Sequence, residues 1–89
     1  MKAILTVIAK DQVGIIAKVS SLLAEQNINI LDISQTVLQE YFTMMMLVDT
    51  DKCKTPFVEL SSLLKSKGEE WGLDIRIQRE DIFNAMHRI

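Results

Sequence analysis

Residues 5–23 read LTVIAKDQVGIIAKVSSLL, and the change of period inside this stretch decides the fold. Ile4, Leu5, Thr6, Val7 and Ile8 form a run of aliphatic and β-branched residues with strand character. After Ala9-Lys10-Asp11-Gln12, Val13 and Gly14 lead into Ile15, Ile16, Val19, Leu22 and Leu23, which recur at helical spacing. The apolar period thus passes from two to about 3.6 within a joint of about four or five residues. A strand delivered straight into a helix N-terminus leaves backbone N–H groups free at the joint, where a small anionic or zwitterionic ligand can be held. Gly14 supplies either a backbone geometry closed to other residues or room for close approach; a plain loop glycine reads the same way. Asp11 is the expected acidic cap of the helix.

Outward from this stretch, the first strand covers residues 2–9. Leu5 and Val7 point one way and Ile4 and Ile8 the other, so both faces are apolar, as in a central strand covered on both sides. The helix is expected to reach about Gln26, with Lys18, Ser21, Glu25 and Gln26 on its wet side. Asn27 suits the left-handed position that closes it. Asn29 stands where the next strand begins, on the expected side of the first loop; bonding to its own turn is its plainer role. In residues 30–38, Leu31 and Ile33 share a face expected to be buried, while Asp32, Ser34 and Thr36 share a wet one. Gln39-Glu40 turns the chain into residues 41–48. There Phe42, Met44, Met46 and Val48 oppose Thr43, Met45 and Leu47, a second strand with two apolar faces.

Thr55-Pro56 predicts a helix start, with threonine as N-cap and proline at the first helical position. Phe57, Leu60, Leu63 and Leu64 form its stripe, and Lys67-Gly68 is the expected end. Residues 71–78 alternate Trp71, Leu73, Ile75 and Ile77 with Gly72, Asp74, Arg76 and Gln78, an edge strand with one wet face. Asp81 is expected to cap a short tail helix over residues 81–89, with Ile82, Phe83, Met86 and Ile89 on its apolar side. Docking of that tail on its own sheet and crossing to a partner both stay open.

The order strand, helix, strand, strand, helix, strand predicts an α+β, ferredoxin-like βαββαβ sandwich. Its four-stranded antiparallel sheet carries both helices on one face, with strands one and three central. One domain spans residues 1–89, its core about 2–80, followed by the tail. Of the 89 residues 48% are apolar, more than one modest core needs. With Ile4, Ile8 and Leu47 on the bare sheet face, this points to contact with another subunit.

Composition excludes several function classes. Ten basic and twelve acidic residues give a net charge of −2, without the cationic footprint of a nucleic-acid binder. Cys53 is the single cysteine, so no intrachain disulfide, thiolate metal cluster or iron–sulfur cluster is expected. No basic segment followed by an apolar one opens the chain, and no apolar run approaches the roughly 18–20 residues of a membrane span. A cytoplasmic protein without membrane contact is expected. Met44, Met45 and Met46 alternate faces, so they read as packing residues rather than a soft-metal site. Asp11, Asp32 and Asp49 fall on different turns or faces, and His87, the lone histidine, lies in the tail. Cys53, between Lys52 and Lys54, has no partner base. The chain therefore reads as no enzyme, with no cofactor and no metal.

The segments from Val7 through Asp11-Gln12-Val13-Gly14-Ile15 and Asn27-Ile28-Asn29-Ile30, at this separation and in this element order, resemble the ACT domain of amino-acid-sensing regulatory proteins. The resemblance covers about residues 2–80. It is greatest to small stand-alone ACT proteins, through Asp32-Ile33-Ser34-Gln35-Thr36-Val37, Tyr41-Phe42-Thr43-Met44-Met45 and Ile82-Phe83-Asn84-Ala85-Met86. Related domains occur in glycine-cleavage regulators and formyltetrahydrofolate deformylase. The resemblance implies a homodimer or higher homo-oligomer with an amino acid bound at the interface. It assigns Asp11, Gln12, Val13, Gly14 and Ile15 to the ligand loop, with Asn29 facing the same site within the subunit or across the interface. A stand-alone copy then acts through a regulatory protein partner, or else serves as an assembly module without a ligand. Acylphosphatase shares the general fold, but its phosphate-loop arginine and asparagine arrangement is absent from the first joint.

Overall fold

Strand β1 (Lys2–Lys10) occupies the middle of the sheet in a computed structural model that describes residues 1–10 and 13–81. It pairs antiparallel with β3 (Tyr41–Asp49) on one side and β4 (Asp74–Arg79) on the other. Strand β2 (Asn29–Leu38) pairs with β3, giving the order β2-β3-β1-β4. Helices α1 (Ile15–Glu25) and α2 (Phe57–Trp71) complete the ferredoxin-like α+β arrangement, with strands one and three central as their two-faced apolar character requires.

Alternation along β1 decides where the core sits. Ala3, Leu5, Val7 and Ala9 are buried, and Leu5 stands between Met46 of β3 and Ile77 of β4. Met44, Met46 and Val48 line the same side, together with Ile15, Val19, Leu22 and Leu23 of α1 and Leu60 and Leu64 of α2. Met44 and Met46 are therefore packing residues. Ile16, expected in the α1 stripe, is exposed; one turn position from Ile15, it falls outside the core-facing arc. Ile4, Ile8, Met45 and Leu47 share the opposite sheet face, away from the core.

Both helices end in the same way. Asn27, at φ 58, follows the C-cap Gln26, and its N–H donates to the Ala24 carbonyl while Ile28 N–H donates to Leu23. At the end of α2, Gly72 takes φ 73, with Gly72 N–H on Glu69 and Leu73 N–H on Gly68 at 2.7 Å. These are paired six-to-one and five-to-two closures that satisfy the last helical carbonyls. In each, the residue after the left-handed position, Ile28 or Leu73, returns to the core. Asn27→Ala is expected to lose about 1 kcal/mol by forcing a less tolerant side chain into that conformation, whereas Asn27→Gly leaves stability nearly unchanged. Urea unfolding of the two variants side by side checks the sign.

Beyond Ile16, the fold departs from the sequence reading in three further places. Helix α2 runs through Gly68 to Trp71, so Trp71 belongs to the helix and not to the last strand. Gly68 is buried inside it, because a Cβ there would stand 2.9 Å from the Leu73 carbonyl oxygen and 3.0 Å from Ile75 Cγ1. This glycine serves close packing of helix on strand, and Gly72 makes the turn. The α2 N-cap is Pro56, not Thr55: ψ 147 holds Pro56 extended, and the Thr55 hydroxyl donates to Gln26 Oε1 at 3.0 Å. That bond ties the end of α1 to the start of α2.

The third correction is β2, which has no buried side. A bulge at Leu31 resets the register, so Ile33 and Val37 share the helix-side face with Met46 and Phe42 of β3. They are nevertheless 39% and 64% exposed. The helices cover β3, β1 and β4 and leave β2 bare on both faces beyond Ile30, which is half-buried against the core. The expected tail helix falls outside the described residues beyond Asp81.

Candidate functional site

The joint between β1 and α1 is built by one glycine. Gly14 is the N-cap of α1 at φ 84, a left-handed conformation that turns the chain from strand to helix. A Cβ on Gly14 would meet nothing within 4 Å, so the residue is demanded by the backbone and the space above it is open. Lys18 N–H makes the first helical bond, to the Gly14 carbonyl at 3.0 Å. The preceding N–H groups have no intrahelical acceptor, and no side chain among the described residues caps them. Val13 is fully exposed beside them, whereas the Ile15 side chain is buried and anchors the turn. The result is a small patch of backbone donors flanked by an exposed apolar side chain. Asp11 and Gln12, expected in the same loop, lie outside the described residues.

Asn29 lies elsewhere. It pairs with Asp49, which pairs with Lys2, at one end of the sheet. Gly14 follows Lys10, which pairs with Tyr41 at the other end. Within a single subunit, then, Asn29 and the first loop are separated by the full length of the central strands. The cause is topological: a helix antiparallel to β1 returns the chain to the end from which β1 set out.

At its own end Asn29 lines an open concavity of about 560 Å³ with Asn27, Ile28, Asp49, Asp51 and Lys52. The N-terminal ammonium of Met1 pairs with Asp49 at 3.6 Å and with Asp51. The acidic pair and Lys52 were not legible as companions of Asn29. Only the register of β2 on β3 brings residues 29 and 49 together.

Two other sequence candidates fall away from both places. Cys53 is half-buried against the core, its Sγ 3.8 Å from the Thr55 carbonyl oxygen. Trp71 packs against the core from α2, with the Lys18 ammonium 6.0 Å from its ring centroid. Among the described residues no three His, Cys, Asp or Glu side chains are grouped to hold a metal ion. No helix of the described residues is long and apolar enough to cross a membrane.

Comparison with known proteins agrees with this fold. The ACT domain family matches residues 2–78. A UPF0237 protein of Clostridium acetobutylicum is 58% identical over 89 residues, covering all of both chains. The structure of an ACT domain protein from Streptococcus pneumoniae superposes with a TM-score of 0.84 at 49% identity, over 98% of each chain. A formyltetrahydrofolate deformylase from Pseudomonas syringae pv. tomato aligns with a TM-score of 0.77 at 28% identity, over 88% of this chain but 27% of that one. A family match across nearly the whole described chain, and relatives of the same length at such identity, carry one conclusion: the protein belongs to the ACT domain family, among its small UPF0237 members.

Proposed function

We propose that the protein is a non-catalytic regulatory module that binds a small ligand, an amino acid, between two copies of the chain. Family membership supports the regulatory role. The observation that carries the interface is β2, an edge strand exposed on both faces from Leu31 onward, with Leu31, Ile33, Val37 and Leu38 open along it. An edge strand of this kind is a template for pairing with another strand.

Two copies related by a two-fold axis perpendicular to β2 pair antiparallel. Asn29 at the start of one β2 then faces Leu38 at the end of the other, beside that copy's Gly14 loop. The separation of Asn29 from Gly14 within one subunit is thereby removed across the pair. A ligand carboxylate takes the free N–H groups at the start of α1, from Ile15 onward, in one copy. The Asn29 side-chain amide of the second copy offers a donor and an acceptor to the same ligand. Asp11 supplies a countercharge for the ligand's amino group.

Calorimetric titration of the purified protein with each amino acid in turn is the test. One binder is expected, and at a hundredfold excess over Kd it raises stability by about 2.7 kcal/mol. Asn29→Ala should abolish the heat while leaving the fold intact by circular dichroism. A dimer that takes up none of the panel by calorimetry or native mass spectrometry would instead favour the second reading. In that reading the same bare β2 makes an assembly module that acts through a regulatory protein without a ligand.

A further inference from the structure

Helix α1 carries Lys18, Ser21, Leu22 and Glu25 at spacings of three, four and seven, one continuous flank of the helix. On α2, Lys67 and Trp71 stand four apart and share a flank as well. The two flanks line one open groove of about 370 Å³. Trp71 reaches it because α2 stays helical up to Gly72. Leu22 is buried at the base, and Lys18, Ser21 and Glu25 are exposed around it, so the groove opens away from the sheet. This flank of α1 is turned toward α2 and not toward β2, which sets the groove apart from the interface proposed above.

The groove combines a ring with uncommitted donors. The Lys18 ammonium lies 6.0 Å from the centroid of the Trp71 ring, at the outer limit of a cation–π contact. It has no carboxylate partner among the described residues. The Trp71 indole N–H has no acceptor among the described residues and is not sealed from solvent. Lys67 pairs with Glu70 at 3.4 Å, an exposed contact of small worth from an ammonium that has three donors. Glu25 is the one carboxylate of the lining, so two ammonium groups against it leave a net charge of +1.

We propose that this groove binds a small organic monoanion that joins a planar ring to a carboxylate. The ring lies against Trp71 and Leu22, and the carboxylate takes the Lys18 ammonium, which its loose contact with the indole leaves free to turn. Charge sets the class. A lining of +1 matches a monoanion, whereas a dianion such as a phosphate monoester is opposed by Glu25. Size sets the rest: about 370 Å³ is near the lower end of the roughly 300–1,000 Å³ of small-molecule sites, room for one ring and its substituent.

Trp71 is the single tryptophan of the chain, so its fluorescence and its one indole N–H resonance both report on this groove. The probes are phenylacetate, its uncharged counterpart phenylacetamide, acetate, and phenyl phosphate, each titrated into the full chain. Phenylacetate is expected to give a saturable change in fluorescence and to move the indole resonance, with a Kd about tenfold or more below that of the other three. Lys18→Gln, at an exposed position where circular dichroism should show the fold unchanged, is expected to raise that Kd about tenfold or more. A flat titration with phenylacetate up to about 10 mM would overturn the proposal, as would an unchanged Kd in the Lys18→Gln chain. Tighter binding of phenyl phosphate would overturn the choice of a monoanion. Equal binding of phenylacetamide would mean that the ring alone is held, as by the docking side chain of a partner protein, and would overturn it too. None of these readouts involves Asn29 or Gly14, so the groove stands or falls apart from the ligand proposed above.

Discussion

Replacing Leu5 with alanine is expected to remove about 2–5 kcal/mol of folding stability, a large share of the roughly 5–15 kcal/mol that holds a domain folded. Leu5 is fully buried at the centre of the central strand, with Met46 beside it on β3 and Ile77 on β4, both also buried. Three neighbouring side chains of one layer therefore face the helices together, and truncating the middle one opens a cavity that strands on both sides hold apart. Transfer of the lost methyl and methylene groups contributes part of the cost, and the unfilled volume contributes the remainder. Urea unfolding at one fixed protein concentration is the measurement, because association between copies would make stability depend on concentration. Val58→Ala, on the exposed side of α2, is the control and should change stability by less than about 0.5 kcal/mol. A loss below about 1 kcal/mol at Leu5 would contradict its place in the core.

The Gly68→Ala variant is expected to be destabilised by about 1–3 kcal/mol, against the direction of helix propensity. In an exposed helix interior the same change would gain about 1 kcal/mol. Here the added methyl meets the Leu73 carbonyl oxygen at 2.9 Å and Ile75 Cγ1 at 3.0 Å. The carbonyl is backbone and cannot swing aside. The Gly68 carbonyl is itself fastened to Leu73 N–H at 2.7 Å, so α2 and the entry to β4 cannot separate without breaking the closure of the helix. Gly68→Ala and Ser62→Ala, the latter at an exposed position of the same helix, should therefore move the unfolding midpoint in opposite directions. A stabilised Gly68→Ala chain would show that the helix shifts to accept the methyl and that close packing is not what holds glycine there.

Much of the architecture was legible because it rests on local rules. The switch from period two to period 3.6 across Gly14 marks a strand entering a helix, and Gly14 does turn the chain in a left-handed conformation. Apolar residues on both faces of residues 2–9 and 41–48 marked the two central strands, as the sheet order bears out. Asn27 was readable as the left-handed residue after α1 because few side chains tolerate that conformation. The elements and their order follow from such patterns, since each depends on residues a few positions apart.

The site was less legible, because its parts depend on how distant segments meet. Asn29 and Gly14 belong to adjacent turns in sequence, yet the antiparallel course of α1 sends them to opposite ends of the sheet. Trp71 alternates in phase with the last strand but lies in α2, since the closure at Gly72 comes later than the glycine nearest the stripe suggested. A spacing of two fits a strand and, over two or three residues, also the flank of a helix.

The sequence by itself determined the six elements, their order and the central pair of strands, because periodicity and turn chemistry act over short range. Only the tertiary structure decided which apolar residues stay in the open. Leu31 and Ile33 alternate as a half-buried strand should, but two helices of 11 and 15 residues reach over three strands and not the fourth. Burial is a property of what lies above a side chain, and no pattern within β2 records that nothing does.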